Sequence, residues 1–213
     1  MHVALIGATG FIGSAVLEEA LARGHRVTAI ARSAGRLAAR PGLRTSAADA
    51  TDPAAVAEAV RGADAVISAF TGDRRGPDLA GEVARGNAAI LEGAKRAGVS
   101  RLLVVGGAGS LEVAPGRLLV EEDVFPAEYK VEARAMAGVL QRLRAETGLD
   151  WTFLSPAAEI FPGERTGRFR LGGDRLLADA EGRSRISVQD YAVAMIDELE
   201  RPAHSRRRFS VAY

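Results

Sequence analysis

The sequence predicts an α/β fold built on a doubly wound parallel sheet flanked by helices, and three observations carry that reading. Residues 1–32 run as strand, glycine turn, helix and strand without interruption. Short continuous apolar runs recur along the chain, as expected of parallel strands buried on both faces. Between them lie segments whose apolar residues keep helical spacing, so strands and helices alternate as in βαβ units.

In the first unit, Val3 to Ile6 is the apolar strand, and Gly7, Gly10 and Gly13 follow at intervals of three. The first glycine permits the tight turn out of the strand. The second lets backbone approach a pyrophosphate, and the third lets the helix pack close to the sheet. The helix opening near Phe11 presents free backbone N–H groups and the positive end of its dipole to the same point. A dinucleotide phosphate is the natural occupant, held by the turn that includes Thr9, Phe11 and Ile12. Ile12, Ala15, Val16, Ala20 and Leu21 continue the helix until Arg23-Gly24 ends it, and Arg26 to Ala31 completes the unit.

The end of that second strand says which dinucleotide. An Asp or Glu there accepts hydrogen bonds from the adenosine ribose and repels a 2′-phosphate. This chain has Arg32 followed by Ser33 instead. A guanidinium pairs bidentately with a 2′-phosphate and stacks on the adenine, while Ser33 offers a hydroxyl and a backbone N–H. The expected cofactor is therefore NADP, as NADPH.

The chain has 213 residues, 47% apolar and 26% charged, with a net charge of +1. That suits a single domain over residues 1–213, with residues 157–187 as a small substrate-side lobe. Nothing marks disorder, and no global excess of charge calls for nucleic acid or membrane. The first strand enters the glycine turn within seven residues, which leaves no signal peptide, and no apolar run approaches membrane length. The absence of cysteine rules out disulfides, thiolate metal sites and cysteine nucleophiles. A cytoplasmic monomer or homodimer with a small-molecule partner and no metal is expected.

Ser33 to Pro41 reads as a loop and Leu43 to Ala47 as a third strand. At its end, Asp49, or Ala50 through its backbone, touches the adenine amine, or else Asp49 only caps the next turn. Asp52-Pro53 opens the helix Ala54 to Val60, with Asp as N-cap and Pro at the first helical position. The fourth strand, Asp64 to Ser68, runs into Ala69, Phe70, Thr71 and Gly72, whose backbone is expected to line the ribose and pyrophosphate. Asp73 to Gly76 is an exposed loop. Leu79, Val83, Ile90, Leu91 and Ala94 then share one helical face, with Asn87 either turned to the crevice or on the surface.

Leu102 to Val105 is the fifth strand, followed by Gly106-Gly107-Ala108-Gly109-Ser110. Pro126 to Thr147 is a helix with Met136, Val139, Leu140 and Leu143 on one face, ended by Gly148. Trp151 to Leu154 is the sixth strand, with Trp151 in the core, and its exit is Ser155-Pro156-Ala157-Ala158. Glu159 to Phe161 and Gly163 to Thr166 mark the substrate side. Gly167 to Ser187 forms short strands and loops over the site, and Phe161 or Phe169 walls a planar substrate. Val188 to Leu199 is the last helix, with Tyr191, Met195 and Ile196 inward. Phe209 to Val211 is an added edge strand, and Arg206 to Arg208 protect that edge.

GATGFIGSAV at 7–16, GGAGSL at 106–111, LDWTFLSPA at 149–157 and PGERTGRFRLG at 162–172 together resemble the atypical short-chain dehydrogenase/reductase superfamily. The branch most similar is the compact NAD(P)H-binding group related to the biliverdin/flavin reductases and the NmrA-like proteins. The resemblance implies a Rossmann-type sheet in the order 3-2-1-4-5-6. It also implies a nicotinamide near the ends of strands four, five and six, where Gly106, Gly107, Ala108, Ser155, Pro156 and Ala157 lie. In the superfamily's carbonyl-reducing branch, a Tyr with a Lys four positions later donates a proton. Here the candidate is Tyr129, otherwise a core-packing or surface aromatic, with Lys130 adjacent and Ala133 at the fourth position. Helical neighbours point about 100° apart, so Lys130 cannot take the partner's role.

Ser110 falls where the superfamily's catalytic serine belongs, and either orients a substrate or caps the following loop. Flavin reduction by hydride needs little beyond placing the ring against the nicotinamide. The leading function is an NADPH-dependent oxidoreductase that transfers hydride to a small planar acceptor such as a flavin or quinone. A redox-sensing regulator of the NmrA-like type, binding NADP without turnover, is the alternative, and a nucleotide-sugar epimerase or dehydratase is the third.

Overall fold

Side chains alternate across each strand, and where both sets are apolar a sheet acquires a core on each face. The computed structural model, which describes residues 1–32 and 37–213, shows this in β1 (His2–Ile6). Val3 and Leu5 join one buried cluster while Ala4 and Ile6 join the other. β2 (Arg26–Ala31) and β4 (Ala65–Ser68) pair with β1 in parallel, so that Leu5 lies opposite Ala29 and Ile67. β3 (Leu43–Ala47) lies outside β2, and β5 (Arg101–Val105) and β8 (Asp150–Ser155) extend the sheet beyond β4. The strands therefore run β3-β2-β1-β4-β5-β8, the expected order 3-2-1-4-5-6 with β8 as the sixth. The chain leaves β1 toward β2 and β3 and then crosses to β4 on the other side. This reversal opens a crevice at the C-terminal ends of β1 and β4.

Helices cover both faces. α1 (Phe11–Ala22) and α5 (Val188–Glu200) pack together on one, and α2 (Pro53–Val60), α3 (Leu79–Arg96) and α4 (Lys130–Arg144) on the other. Asp52 caps α2 by accepting from the Ala54 N–H at 2.8 Å, with Pro53 at the first position, as the Asp-Pro pair predicts. α4 is shorter than its apolar spacing suggests. Ala127–Tyr129 forms a 3-10 turn in which the Tyr129 N–H bonds Pro126 O at 3.1 Å, so Tyr129 is the residue that caps α4. Between β5 and α4 the chain also makes a short hairpin, β6 (Glu112–Ala114) and β7 (Arg117–Leu118), that no periodicity announces.

The C-terminal third departs most from expectation. β9 (Glu159–Phe161) pairs in parallel with β11 (Arg185–Ser187), whereas β10 (Arg170–Gly172) joins the main sheet antiparallel to β12 (Arg207–Ala212). β12 is thus held by β8 on one side and β10 on the other and is not an edge. Arg208, expected to guard that edge, is buried, and its Nε bonds Asp174 at 2.6 Å, as a buried cation requires.

The segment expected on the substrate side is tied elsewhere. Asp190, fully buried in the first turn of α5, accepts from the N–H and hydroxyl of Thr166 at 2.8 and 2.5 Å and from the Gly167 N–H at 2.7 Å. Arg165 reaches back to Glu19 on α1 at 2.7 and 2.8 Å. These bonds hold Arg165 against α1 and Thr166 against the start of α5. Among the described residues, no helix is long and apolar enough to cross a membrane, and no group of side chains has the make-up of a metal site.

Candidate functional site

The turn after β1 is shaped by two glycines at which a side chain would force the backbone to shift. Gly7 has φ +81, and a Cβ on it would stand 2.5 Å from the Ala69 carbonyl oxygen. A Cβ on Gly13 would stand 2.1 Å from the Gly7 carbonyl oxygen, so α1 sits against the turn only because that atom is missing. Gly10 caps α1 without a side chain, and the first helical bond runs from the Ser14 N–H to Gly10 O at 2.9 Å. The N–H groups of Phe11, Ile12 and Gly13 consequently have no acceptor within the helix and face the crevice end of the dipole. Such a turn fits a pyrophosphate.

A cavity of about 210 Å³ opens beside this turn. Gly7, Thr9, Gly10, Arg32, Asp49 and Ala50 line it, and Ala69, Phe70, Thr71 and Gly72 close it from the end of β4. Asp49 closes the turn before α2. One of its oxygens accepts from the backbone N–H and hydroxyl of Thr51, at 2.9 and 2.8 Å, while the residue also walls the cavity. Those two bonds hold its carboxyl below the usual aspartate range, against a small opposing effect of burial and with Arg32 assisting. Ser33, expected beside Arg32, lies outside the described residues.

A second cavity, of about 660 Å³, shares Thr71 as a wall with the first. Phe11, Ile12, Gly106, Gly107 and Ala108 line it together with Pro156, Ala157 and Tyr129. Leu119, Val124, Phe125, Met136 and Ile160 give it an apolar surface, interrupted by Arg74, Glu132 and Glu159. A dinucleotide seated on the glycine turn has room to run past Thr71 and leave space for a further flat ring.

Three of the expected site residues among those described line neither cavity. Gly13 packs the helix, as described. Ser110 is buried: the turn closed by the Leu111 N–H on Ala108 O at 2.9 Å carries it behind the loop, where Arg208 bonds its hydroxyl at 3.2 Å. Ser155 is fully buried with its hydroxyl unpartnered, beside Ser210 of β12. The proposed aromatic wall is also different. Phe161 packs edge-on to Tyr213 with Arg185 over its ring at 4.6 Å, and Phe169 packs on the core, so Phe11 and Phe125 wall the second cavity in their place. Asn87 is buried, its amide bonding Val83 O at 2.9 Å.

Sequence reasoning missed the charged groups of the crevice. Arg74, in the loop after β4, clasps Glu132 of α4 through two hydrogen bonds of 2.7 and 2.9 Å, and both line the second cavity. Glu132 holds the Arg74 guanidinium above its usual pKa, with burial opposing. The pair spans 58 residues, so no local spacing exposes it. Glu82 of α3 walls the first cavity and accepts from the Asp73 N–H at 2.8 Å, pinning the root of the same loop.

Residues 7–199 match the model of a family described as NAD(P)H-binding. The chain is 40% identical over 216 residues to the uncharacterized protein YwnB of Bacillus subtilis, covering 99% of this chain and 98% of that protein. Among solved structures it is 44% identical to an epimerase candidate from Bacteroides thetaiotaomicron, with a TM-score of 0.93 over 100% of this chain and 96% of that one. It is 37% identical to an NADH-flavin reductase candidate from Streptococcus pneumoniae, with a TM-score of 0.86 over 100% and 99% of the two chains. The match begins at the first glycine of the turn and runs through α5, over the strands and helices that frame both cavities. This chain therefore belongs to the NAD(P)H-binding family, a group of the atypical short-chain dehydrogenase/reductase type.

Proposed function

We propose that this protein is an NADPH-dependent oxidoreductase that passes hydride to a small planar acceptor such as a flavin or quinone. The observation that carries the reading is the continuity at Thr71 between a cavity on an anion-binding turn and a larger apolar one. The first would take the adenosine and pyrophosphate, with the free N–H groups of Phe11 and Ile12 meeting the phosphate charge. Arg32, exposed at the end of β2, would meet the 2′-phosphate and so favour NADPH. The nicotinamide, when bound, supplies two electrons and a proton as hydride.

The chain's own part is placement and exclusion of water. The backbone of Gly106 to Ala108 and of Pro156 and Ala157 would flank the nicotinamide ring, while Phe11 and Phe125 confine a flat acceptor. A second proton completes the reduction of a quinone. Tyr129, at the mouth of the same cavity and half exposed, can donate it and recover it from solvent. With Ser110 buried under Arg208, no further side chain is needed for hydride transfer to a flavin.

The test is multiple-turnover NADPH oxidation with a panel of neutral and charged flavins and quinones, alongside calorimetric titration with NADPH and NADH. Turnover with tighter binding of NADPH is the expected result. NADPH binding with no turnover across the panel would instead favour the redox-sensing regulator, and binding of neither nucleotide would remove both readings.

A further inference from the structure

The charges inside the second cavity are unlike those of a site made for an anion. Among the described residues lining it, Arg74 is the one cation, and Glu132 and Glu159 are the two carboxylates. Arg74 is committed to Glu132 through two parallel hydrogen bonds of 2.7 and 2.9 Å. Its side chain is 59% exposed, whereas that of Glu132 is only 14% exposed. Glu159 is paired at 2.7 Å with Arg185, which does not line the cavity. Both carboxylates are thus paired, so the described lining offers an anion no uncommitted cation, and the remaining wall is apolar.

We propose that the acceptor is an electrically neutral ring, and that Glu132 is the residue that selects against anionic acceptors by occupying Arg74. The inference rests on the reductase reading above. A phosphate or carboxylate on the acceptor finds no free cation in the lining and must take Arg74 for itself. Taking Arg74 strands a mostly buried carboxylate without its partner, which is costly. A neutral ring leaves the pair intact and gains from apolar burial against Phe11, Phe125 and Met136. Specificity then comes from a penalty on the wrong ligand as much as from attraction to the right one.

Riboflavin and FMN share one isoalloxazine and differ by a phosphate, so the ratio of their kcat/KM values with NADPH reads the charge preference alone. In the wild type, riboflavin is expected to exceed FMN by at least about tenfold, a difference of about 1.4 kcal/mol. Glu132→Gln keeps the shape, frees the guanidinium, and should cut that ratio by about tenfold. Arg74→Met breaks the same pair but leaves the carboxylate, and should hold or raise the ratio. A structural role for the pair would move both variants alike, so parallel shifts overturn the proposal. If Glu132→Gln does not fold, the wild-type ratio and Arg74→Met still decide it. A wild type that uses FMN as well as riboflavin overturns this inference and leaves the reductase reading standing. A wild type that binds NADPH but reduces neither flavin nor a neutral quinone overturns both.

Discussion

Arg208 Nη1 donates to both the hydroxyl and the carbonyl oxygen of Ser110, at 3.2 Å each, reaching from β12 to the loop after β5. The same guanidinium holds Asp174 through Nε at 2.6 Å. Burial lowers the Arg208 pKa from its ordinary value despite Asp174 beside it. Ser110 is thereby part of the support under the nicotinamide side of the crevice, with its hydroxyl facing away from the second cavity.

Ser110→Ala is accordingly expected to cost about 1 kcal/mol of stability, the usual net worth of one hydrogen bond, and to change turnover by less than about threefold. Urea unfolding and steady-state kinetics check this. A loss of turnover above about a hundredfold, the scale of a group that acts on substrate, with unchanged stability would restore Ser110 to the chemistry.

Gly13→Ala places a methyl 2.1 Å from the Gly7 carbonyl oxygen, so the helix or the phosphate turn must move. The expected result is a stability loss of about 1–3 kcal/mol and a large loss of NADPH affinity, since the same carbonyl belongs to the turn. Gly138→Ala, in the middle of α4 with nothing within 4 Å of the new methyl, should instead stabilise by about 0.5–1 kcal/mol and leave affinity alone. Thermal unfolding and titration of the two variants side by side separate a crowded glycine from an open one.

Arg32→Asp should weaken NADPH binding far more than NADH binding, because a carboxylate at the end of β2 repels a 2′-phosphate and suits a ribose diol. Calorimetry with both nucleotides measures the two losses. Equal losses would remove Arg32 from cofactor selection.

Glu19 joins α1 to Arg165 of the C-terminal segment and to Arg23 near the end of the helix. The Arg165 hydrogen bonds lead in holding its carboxyl below the ordinary glutamate value of 4.5, with burial opposing and Arg23 assisting. The ionised form thus favours the fold. Its contribution is complete above the unfolded pKa near 4.5 and disappears as the pH falls through the lower folded value. The stability difference between wild type and Glu19→Gln should therefore be constant from neutral pH down to about 5, and shrink below that. Urea midpoints measured from pH 7 to pH 3 test the shape, and a difference that grows on acidification would contradict it.

Much of the fold was legible because its signals are local. The apolar run of β1, the three spaced glycines and the Asp-Pro start of α2 each act within a few residues, through backbone freedom, capping and burial of one face. The order of the first six strands followed from the resemblance those motifs carry. Less legible were the short strands after residue 155, where no alternation distinguishes β10 joining the main sheet from a separate lobe. Three-residue strands contain too few positions to show a period, and their pairing is set by whichever edge is available.

By itself, then, the sequence determined a strand that ends in a glycine turn at a helix N-terminus, with an arginine rather than a carboxylate closing the next strand. Those are properties of neighbouring residues and survive any detail of the packing. Only the tertiary structure decided that Arg208 covers Ser110 across 98 residues, and that Arg74 meets Glu132 across 58. A buried or half-buried charge takes the nearest opposite group in space, and that choice depends on how strands and helices stack, which no spacing along the chain encodes.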